Sequence, residues 1–193
     1  MIMEDSNLLR GESQILLSKK SLVGFKSIYL EPFPEVNSSA IDEIMNADLV
    51  VFGPGGLYTS LIPLLLVDGV SKALRETKAK KVFVVNLMNK KLQTPGFKVS
   101  NYLNEIKRFT GKDIFDHIIV NSNHPSEELL NLYSEEGEYI EMDLNGDSRI
   151  TSADVLDNDV PEYSEVDVLA KTRALIRHDP KKLAAVLTKM MED

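Results

Sequence analysis

Ala47-Asp48-Leu49-Val50-Val51-Phe52-Gly53-Pro54-Gly55-Gly56-Leu57-Tyr58-Thr59-Ser60 decides how the chain is read. Leu49 to Phe52 has the length of a buried strand. Gly-Pro-Gly-Gly stops it, and Thr59-Ser60 open a second apolar segment. The pattern is strand, glycine turn, helix start. In an open parallel sheet such a turn lies at the carboxyl end of a strand, where ligands bind. Glycines let backbone N–H groups approach a ligand, and hydroxyls at a helix N-terminus favour an anion such as phosphate. A tight turn with Thr59 or Ser60 as a helix cap accounts for the same residues, and short glycine motifs recur by chance. Gly53, Gly55, Gly56, Thr59 and Ser60 are therefore the phosphate-binding candidates, weighed against that simpler turn.

Working outward, Lys81 to Leu87 (KVFVVNL) is a second buried strand and Phe115 to Val120 a third. Between them, Val99, Tyr102, Leu103, Ile106 and Phe109 recur at helical spacing, and Gly111 ends that helix. Ser126 is placed to cap a helix bearing Leu129, Leu130 and Tyr133. Asn37 or Ser38 caps another ahead of the central strand, with Ile41 and Ile44 on its inner face. Asp179-Pro180 starts the last helix, with Leu183, Val186, Leu187 and Met190 inward. Tyr139–Met142 and Arg149–Leu156 read as further strands, followed by a polar loop from Asp157 to Val166 that contains Pro161. Leu8-Leu9 and Ile15-Leu16-Leu17 flank Arg10-Gly11-Glu12 without helical periodicity, which predicts a hairpin or paired strands. Alternating strands and helices predict a single α/β domain over 1–193: a mainly parallel, Rossmann-like sheet with helices on both faces and a small β-rich N-terminal element.

Composition narrows the function. The chain has 193 residues and a net charge of −8 with no dense basic cluster, so nucleic acid is not an expected partner. There is no cysteine, which excludes disulfides and thiol catalysis and fits a reducing cytoplasm. The longest apolar run, Leu61 to Val67, contains Pro63 and is far too short for a bilayer span.

Four well-spaced stretches together resemble one family, the gluconeogenesis factors of the YvcK type, which are related to the CofD 2-phospho-L-lactate transferases. Ala47-Asp48 through Gly53-Pro54-Gly55-Gly56-Leu57-Tyr58-Thr59-Ser60, then Pro63 and Leu65-Leu66-Val67, is similar to the family's glycine phrase. Gly11-Glu12 with Ile15, Asn86 with Met88, and Arg177-His178-Asp179 with Leu183-Ala184 match in the same order. The resemblance implies a CofD-like fold and a UDP-sugar-binding, cytoplasmic regulator of cell shape and cell-wall synthesis. It places this chain in the C-terminal portion of a family member, with the glycine-rich nucleotide-binding segment outside it. A surface left open by that segment favours a homo-oligomer. The enzyme alternative is a CofD-like transfer of phospholactate from a nucleotide donor to a deazaflavin, using a divalent metal. A scaffold without ligand is the third reading.

Departures bear on that choice. The family loop's Pro-Gly-Glu stands here as Lys91-Leu92-Gln93, its Asp-His as Asn101-Tyr102, its Asn after the proline as Leu64, and its glycine-loop Ser as Gly56. An amide in place of a carboxylate neither takes a proton nor holds a metal in the same way. Asn86, at a strand end, is a candidate for a sugar or base, with Met88 and Thr94 beside it; a strand-end Asn bonding its own loop is the equal alternative. Lys90 and Lys91 add positive charge near a phosphate or are simply solvated. His178-Asp179 is a conceivable general-base pair, although Asp179 as a helix cap is favoured. His117 and His124 lack carboxylates at metal-ligand spacing. Asp143, Asn145, Asp147 and Asp154 follow calcium-loop spacing, but Ser148 stands where the turn wants glycine. Glu127, Glu128, Glu135, Glu136, Glu138 and Glu141 read as a solvated acidic face.

Overall fold

The computed structural model describes residues 1–19, 24–159 and 176–192. Its core is a four-stranded sheet of β3 (Leu49–Phe52), β4 (Lys80–Val84), β5 (His117–Asn121) and β6 (Ile150–Ala153), all parallel and in sequence order. Register is set by paired apolar residues: Phe52 lies opposite Phe83, and Phe83 opposite Ile118. Because side chains alternate across a strand, Phe83 and Ile118 face one layer while Val82, Val84 and Ile119 face the other.

The first layer holds α3 (Ile62–Leu65) and α5 (Val99–Thr110), whose Tyr102 and Ile106 are fully buried. The second layer is α7 (Pro180–Glu192), with Leu183, Val186, Leu187 and Met190 on Val82, Val84 and Ile119. Helices thus cover both faces. Each large side chain fully buried in this way contributes roughly 2 kcal/mol. Lys80 closes α7, its ammonium donating to the Met190 carbonyl at 3.0 Å, where a cation complements the helix C-terminus. The remaining helices are α2 (Ser38–Asn46), α4 (Val70–Glu76) and α6 (Glu127–Tyr133). The Asn37 side chain caps α2 through Ser39 N at 3.0 Å, and Ser126 caps α6 through Leu129 N at 3.3 Å.

The N-terminal element is a short antiparallel pair, β1 (Ile2–Met3) with β2 (Phe25–Ser27). The hairpin expected around Arg10-Gly11-Glu12 is not there. Gly11–Leu17 is helix α1, begun by Gly11 at φ +74° and steadied by the Gln14 side chain accepting from Arg10 N at 2.7 Å. Two turns with one buried residue, Ile15, are too few to show a helical period in the sequence. Tyr139–Met142 also fails as a strand: only an isolated bridge joins Tyr139 to Met88. The polar loop with Pro161 lies outside the described residues beyond Asp159.

Candidate functional site

Phe52 ends β3 and the chain turns at once through Gly53-Pro54-Gly55-Gly56. The following run, Leu57–Leu65, begins as one wide turn. Leu61 N and Ile62 N reach back five residues, to Gly56 O at 3.1 Å and to Leu57 O. Leu57 and Tyr58 are buried and anchor this turn; Tyr58 packs edge-on to Phe25, with ring centroids 5.1 Å apart. Burial, together with Glu105 beside it, raises the Tyr58 hydroxyl well above the usual tyrosine range. The amides of Leu57, Tyr58 and Thr59 have no acceptor among the described residues, the usual state of a helix's first turn. The wide turn therefore gathers unpaired donors at the carboxyl end of β3.

Asn86 stands at the carboxyl end of the neighbouring strand and clamps the bend. Its Oδ1 accepts from Gly55 N at 3.0 Å and its Nδ2 donates to Gly55 O at 2.8 Å. The glycine turn and Asn86 are thus on one edge of the sheet and in direct contact. Both polar atoms of the Asn86 amide are engaged, and its partner is the β3 bend, not its own loop. The glycines are also close-fitted. A Cβ on Gly56 would overlap the Thr59 hydroxyl oxygen, and one on Gly55 would meet Ser60 Cβ at 3.4 Å.

The loop after β4 is built differently. Met88 is buried with Tyr133, Leu156 and Ile176. Thr94 is buried, and its hydroxyl accepts from Lys90 N and lies 3.1 Å from the Tyr102 hydroxyl. Asn89, also buried, accepts from Tyr102 at 3.0 Å and donates to Phe97 O at 2.8 Å. Burial pushes the Tyr102 hydroxyl up to about 12. Met88 and Thr94 are thereby held inside the protein, Thr94 reaching the Asn86 side chain only through the Tyr102 hydroxyl, which interacts with both. Gln93 is buried too, its side-chain NH2 without a partner. Asn101 accepts from Lys98 N at 2.9 Å and caps α5.

Lysines and the glutamates expected to form a solvated acidic face hold this loop down. Lys90 pairs with Glu136 at 3.2 Å over the Tyr133 ring, Lys91 with Glu135 at 3.8 Å, and Lys98 with Glu141 at 2.9 Å. The Glu138 carboxylate accepts from Gly96 N and Asn89 Nδ2. The alternation of charge between two distant stretches was the only sequence signal for this.

The calcium loop does not form. Asp143 accepts from Ser100 N and its hydroxyl, Asp147 pairs with Arg149 at 2.8 Å, and Asp154 pairs with Lys182 at 2.9 Å. Asn145 is exposed in the turn between them. The Arg149 guanidinium holds the Asp147 carboxyl down at about 2. Among the described residues no three acidic or histidine side chains come together as a metal site. His117 starts β5, and His124 packs on Tyr139, with ring centroids 4.5 Å apart. Asp179 caps α7, accepting from Lys181 N at 2.7 Å and Lys182 N at 3.0 Å. His178 is a half-buried neighbour at the end of β4, its Nε2 unpaired among the described residues.

Beside the bend lies a feature the sequence did not suggest. A cavity of about 670 Å³ runs between α1, the 28–32 stretch and the 57–63 turn, with Thr59 in its wall.

A parallel sheet in chain order, with a glycine turn clamped at its carboxyl edge, places this chain among the open parallel-sheet α/β proteins, the class in which strand carboxyl ends are the usual ligand edge. The chain belongs to the CofD family: the family model described as 2-phospho-L-lactate transferase CofD matches residues 1–160. It is 33% identical over 192 residues to a protein of Aquifex aeolicus that bears the gluconeogenesis-factor name, covering 98% of this chain and 56% of that one. It is 29% identical over 191 residues to the gluconeogenesis factor of Listeria innocua, covering 98% and 55%. A crystal structure of a UPF0052 family member from Bacillus halodurans superposes with a TM-score of 0.77 at 28% identity, over 97% of this chain and 57% of that one. The chain thus spans a little over half the length of these relatives. No single helix among the described residues is long and apolar enough to cross a membrane.

Proposed function

We propose that this chain binds a nucleotide sugar of the UDP-sugar kind through its phosphates and serves as a regulator of cell shape and cell-wall synthesis, in the manner of the gluconeogenesis factors it resembles. The observation that carries this reading is the clamped bend: unpaired amides of Leu57, Tyr58 and Thr59 that follow glycines, of which Gly53 has open space where a side chain would stand. Donors arranged in this way favour a phosphate oxygen. Within the Gly53, Gly55, Gly56, Thr59 and Ser60 segment the phosphate contact falls to the free amides of Leu57 to Thr59 and the Thr59 and Ser60 hydroxyls, with Gly55 held by Asn86 to position them. Supporting a regulator over a catalyst, Gln93 and Asn101 stand where a carboxylate would be wanted to manage a metal or a proton.

The name of the matching family model favours a second reading, a transferase that passes a phosphorylated group from a nucleotide donor to a deazaflavin alcohol. Calorimetric titration of UDP-N-acetylglucosamine and GDP against this chain, with donor turnover followed in parallel, separates the two. Saturable UDP-sugar binding without turnover is expected. Turnover of a nucleotide donor with a deazaflavin acceptor replaces the regulator by the transferase, and no binding of either nucleotide removes both.

A further inference from the structure

We infer that the cavity beside Thr59 is the nucleoside lobe of that site and takes a flat heterocyclic base; this rests on reading the bend as a phosphate site. The cavity's size comes first. At about 670 Å³ it exceeds what a phosphate fills and falls in the range of small-molecule pockets, roughly 300 to 1,000 Å³. Its position comes second. Thr59 belongs both to the bend and to the cavity wall, and its half-buried hydroxyl has no partner among the described residues. A ligand held at the bend can therefore extend a bulky group past Thr59 into the cavity.

The wall chemistry then decides which group. Leu8, Ile15, Ile28, Leu30 and Pro63 present hydrocarbon. A sugar carries hydroxyls around its whole ring edge, and each one pressed against such a wall would lose water without a replacement partner. A base has two apolar faces and polar groups only on its edge. Tyr29 and Leu8, at the lips, are 46% and 42% exposed, so apolar area stands open to water there.

The rim supplies the edge contacts. Arg10 and Glu31 approach to 3.9 Å with side chains 69% and 66% exposed. A pair so long and so wet contributes little by itself and re-pairs readily. Together they offer a fork of donors and an acceptor, the complement of the carbonyl and N–H groups on the uracil edge. Glu12 lies at the same rim, so Arg10, Glu12 and Glu31 leave it net negative. The phosphates are therefore directed to the bend and away from the rim, with the sugar beyond them. This lobe exists only because residues 11–17 form a helix that forms one wall.

The test uses uridine monophosphate and N-acetylglucosamine 1-phosphate as separate probes, titrated against the wild-type chain, Arg10→Ala and Tyr29→Ala. Both side chains are largely outside the core, and thermal unfolding checks that the variants fold. The expected result is a loss of about tenfold in affinity for uridine monophosphate in each variant, the scale of one lost charged or stacking contact. Affinity for N-acetylglucosamine 1-phosphate is expected to stay unchanged. Equal losses for both probes, or none for uridine monophosphate, overturn the nucleoside lobe. If UDP-N-acetylglucosamine still binds all three proteins alike, only this inference falls. If it and both probes fail to bind the wild-type chain, the phosphate reading falls with it.

Discussion

Two turns leave the same edge of the same sheet and treat their polar groups in opposite ways. The bend after β3 keeps the amides of Leu57, Tyr58 and Thr59 unpaired and spends glycine on close approach. The loop after β4 turns Asn89, Thr94 and Tyr102 inward on one another and is tied from outside by Glu136, Glu138 and Glu141. The first can accept a guest; the second supports the first, because Asn86 at its root holds Gly55 from both sides. A polar residue at a strand's carboxyl end is thus no sign of ligand contact until its hydrogen bonds have been followed to their ends.

If this contrast is right, damage to the second loop costs folding. The largest effect is expected at Gly137, where any Cβ would overlap the Asn89 carbonyl oxygen, a backbone atom that cannot swing aside. Gly137→Ala should lower stability by about 3 kcal/mol or more, as overpacking against fixed atoms does. Denaturant unfolding followed by circular dichroism gives the number. A neutral result would mean that the loop is loosely seated and the contrast false.

Next comes Thr94→Val, which keeps the volume and removes the hydroxyl that meets Lys90 N and Tyr102. A buried donor left without its partner costs roughly 1–3 kcal/mol. Nucleotide affinity, measured well below the unfolding midpoint, should not change. A selective loss of binding with intact stability would return Thr94 to the ligand and erase the distinction between the two turns.

The fold was largely readable because its signals are local. The apolar run of β3, the spacing of Val99, Tyr102 and Ile106, the Gly111 stop and the Asp179 cap each declare themselves within a few residues. α1 was not readable, since seven residues burying only Ile15 show no period. The bend was legible as a glycine turn before a helix. The inward closure of Thr94 and Asn89 was not, because their partners, Tyr102 and Glu138, lie 8 and 49 residues away. The calcium spacing at Asp143 to Asp154 misled for the same reason. Arg149 lies within the loop, but Ser100 and Lys182, which engage two of its carboxylates, are far off in the chain.

Asn86→Ala joins the two regions and should show a smaller, divided effect. Its two bonds to Gly55 are half-buried, so their loss should destabilise the chain by about 1 kcal/mol. The freed bend should also bind UDP-N-acetylglucosamine about tenfold more weakly, since ordering it then falls to the ligand. Asn86→Asp sharpens the test. It retains an acceptor for Gly55 N, removes the donor to Gly55 O and places a negative charge beside the phosphates. Binding should therefore suffer more than stability. Equal effects of both substitutions on binding would show that Asn86 only braces the fold.

The smallest effect separates the two turns from a third group at this edge, His178. Burial lowers its pKa below the usual imidazole value, and a hydrogen bond to the Val85 backbone offsets this only in part. Its Nε2 has no partner. The folded chain therefore resists protonation that the unfolded chain accepts. The stability this represents is present in full above the unfolded value near 6.5 and declines as pH falls through that value toward the lower folded one. Unfolding midpoints measured from pH 7.5 to pH 5 should drop in the wild type and drop less in His178→Gln, the difference being small because the ring is only partly enclosed. Nucleotide affinity of the two proteins should stay parallel over the same range, for neither the bend nor its Asn86 clamp titrates there. Divergent binding curves would bring His178 into the ligand site and make the edge one continuous surface.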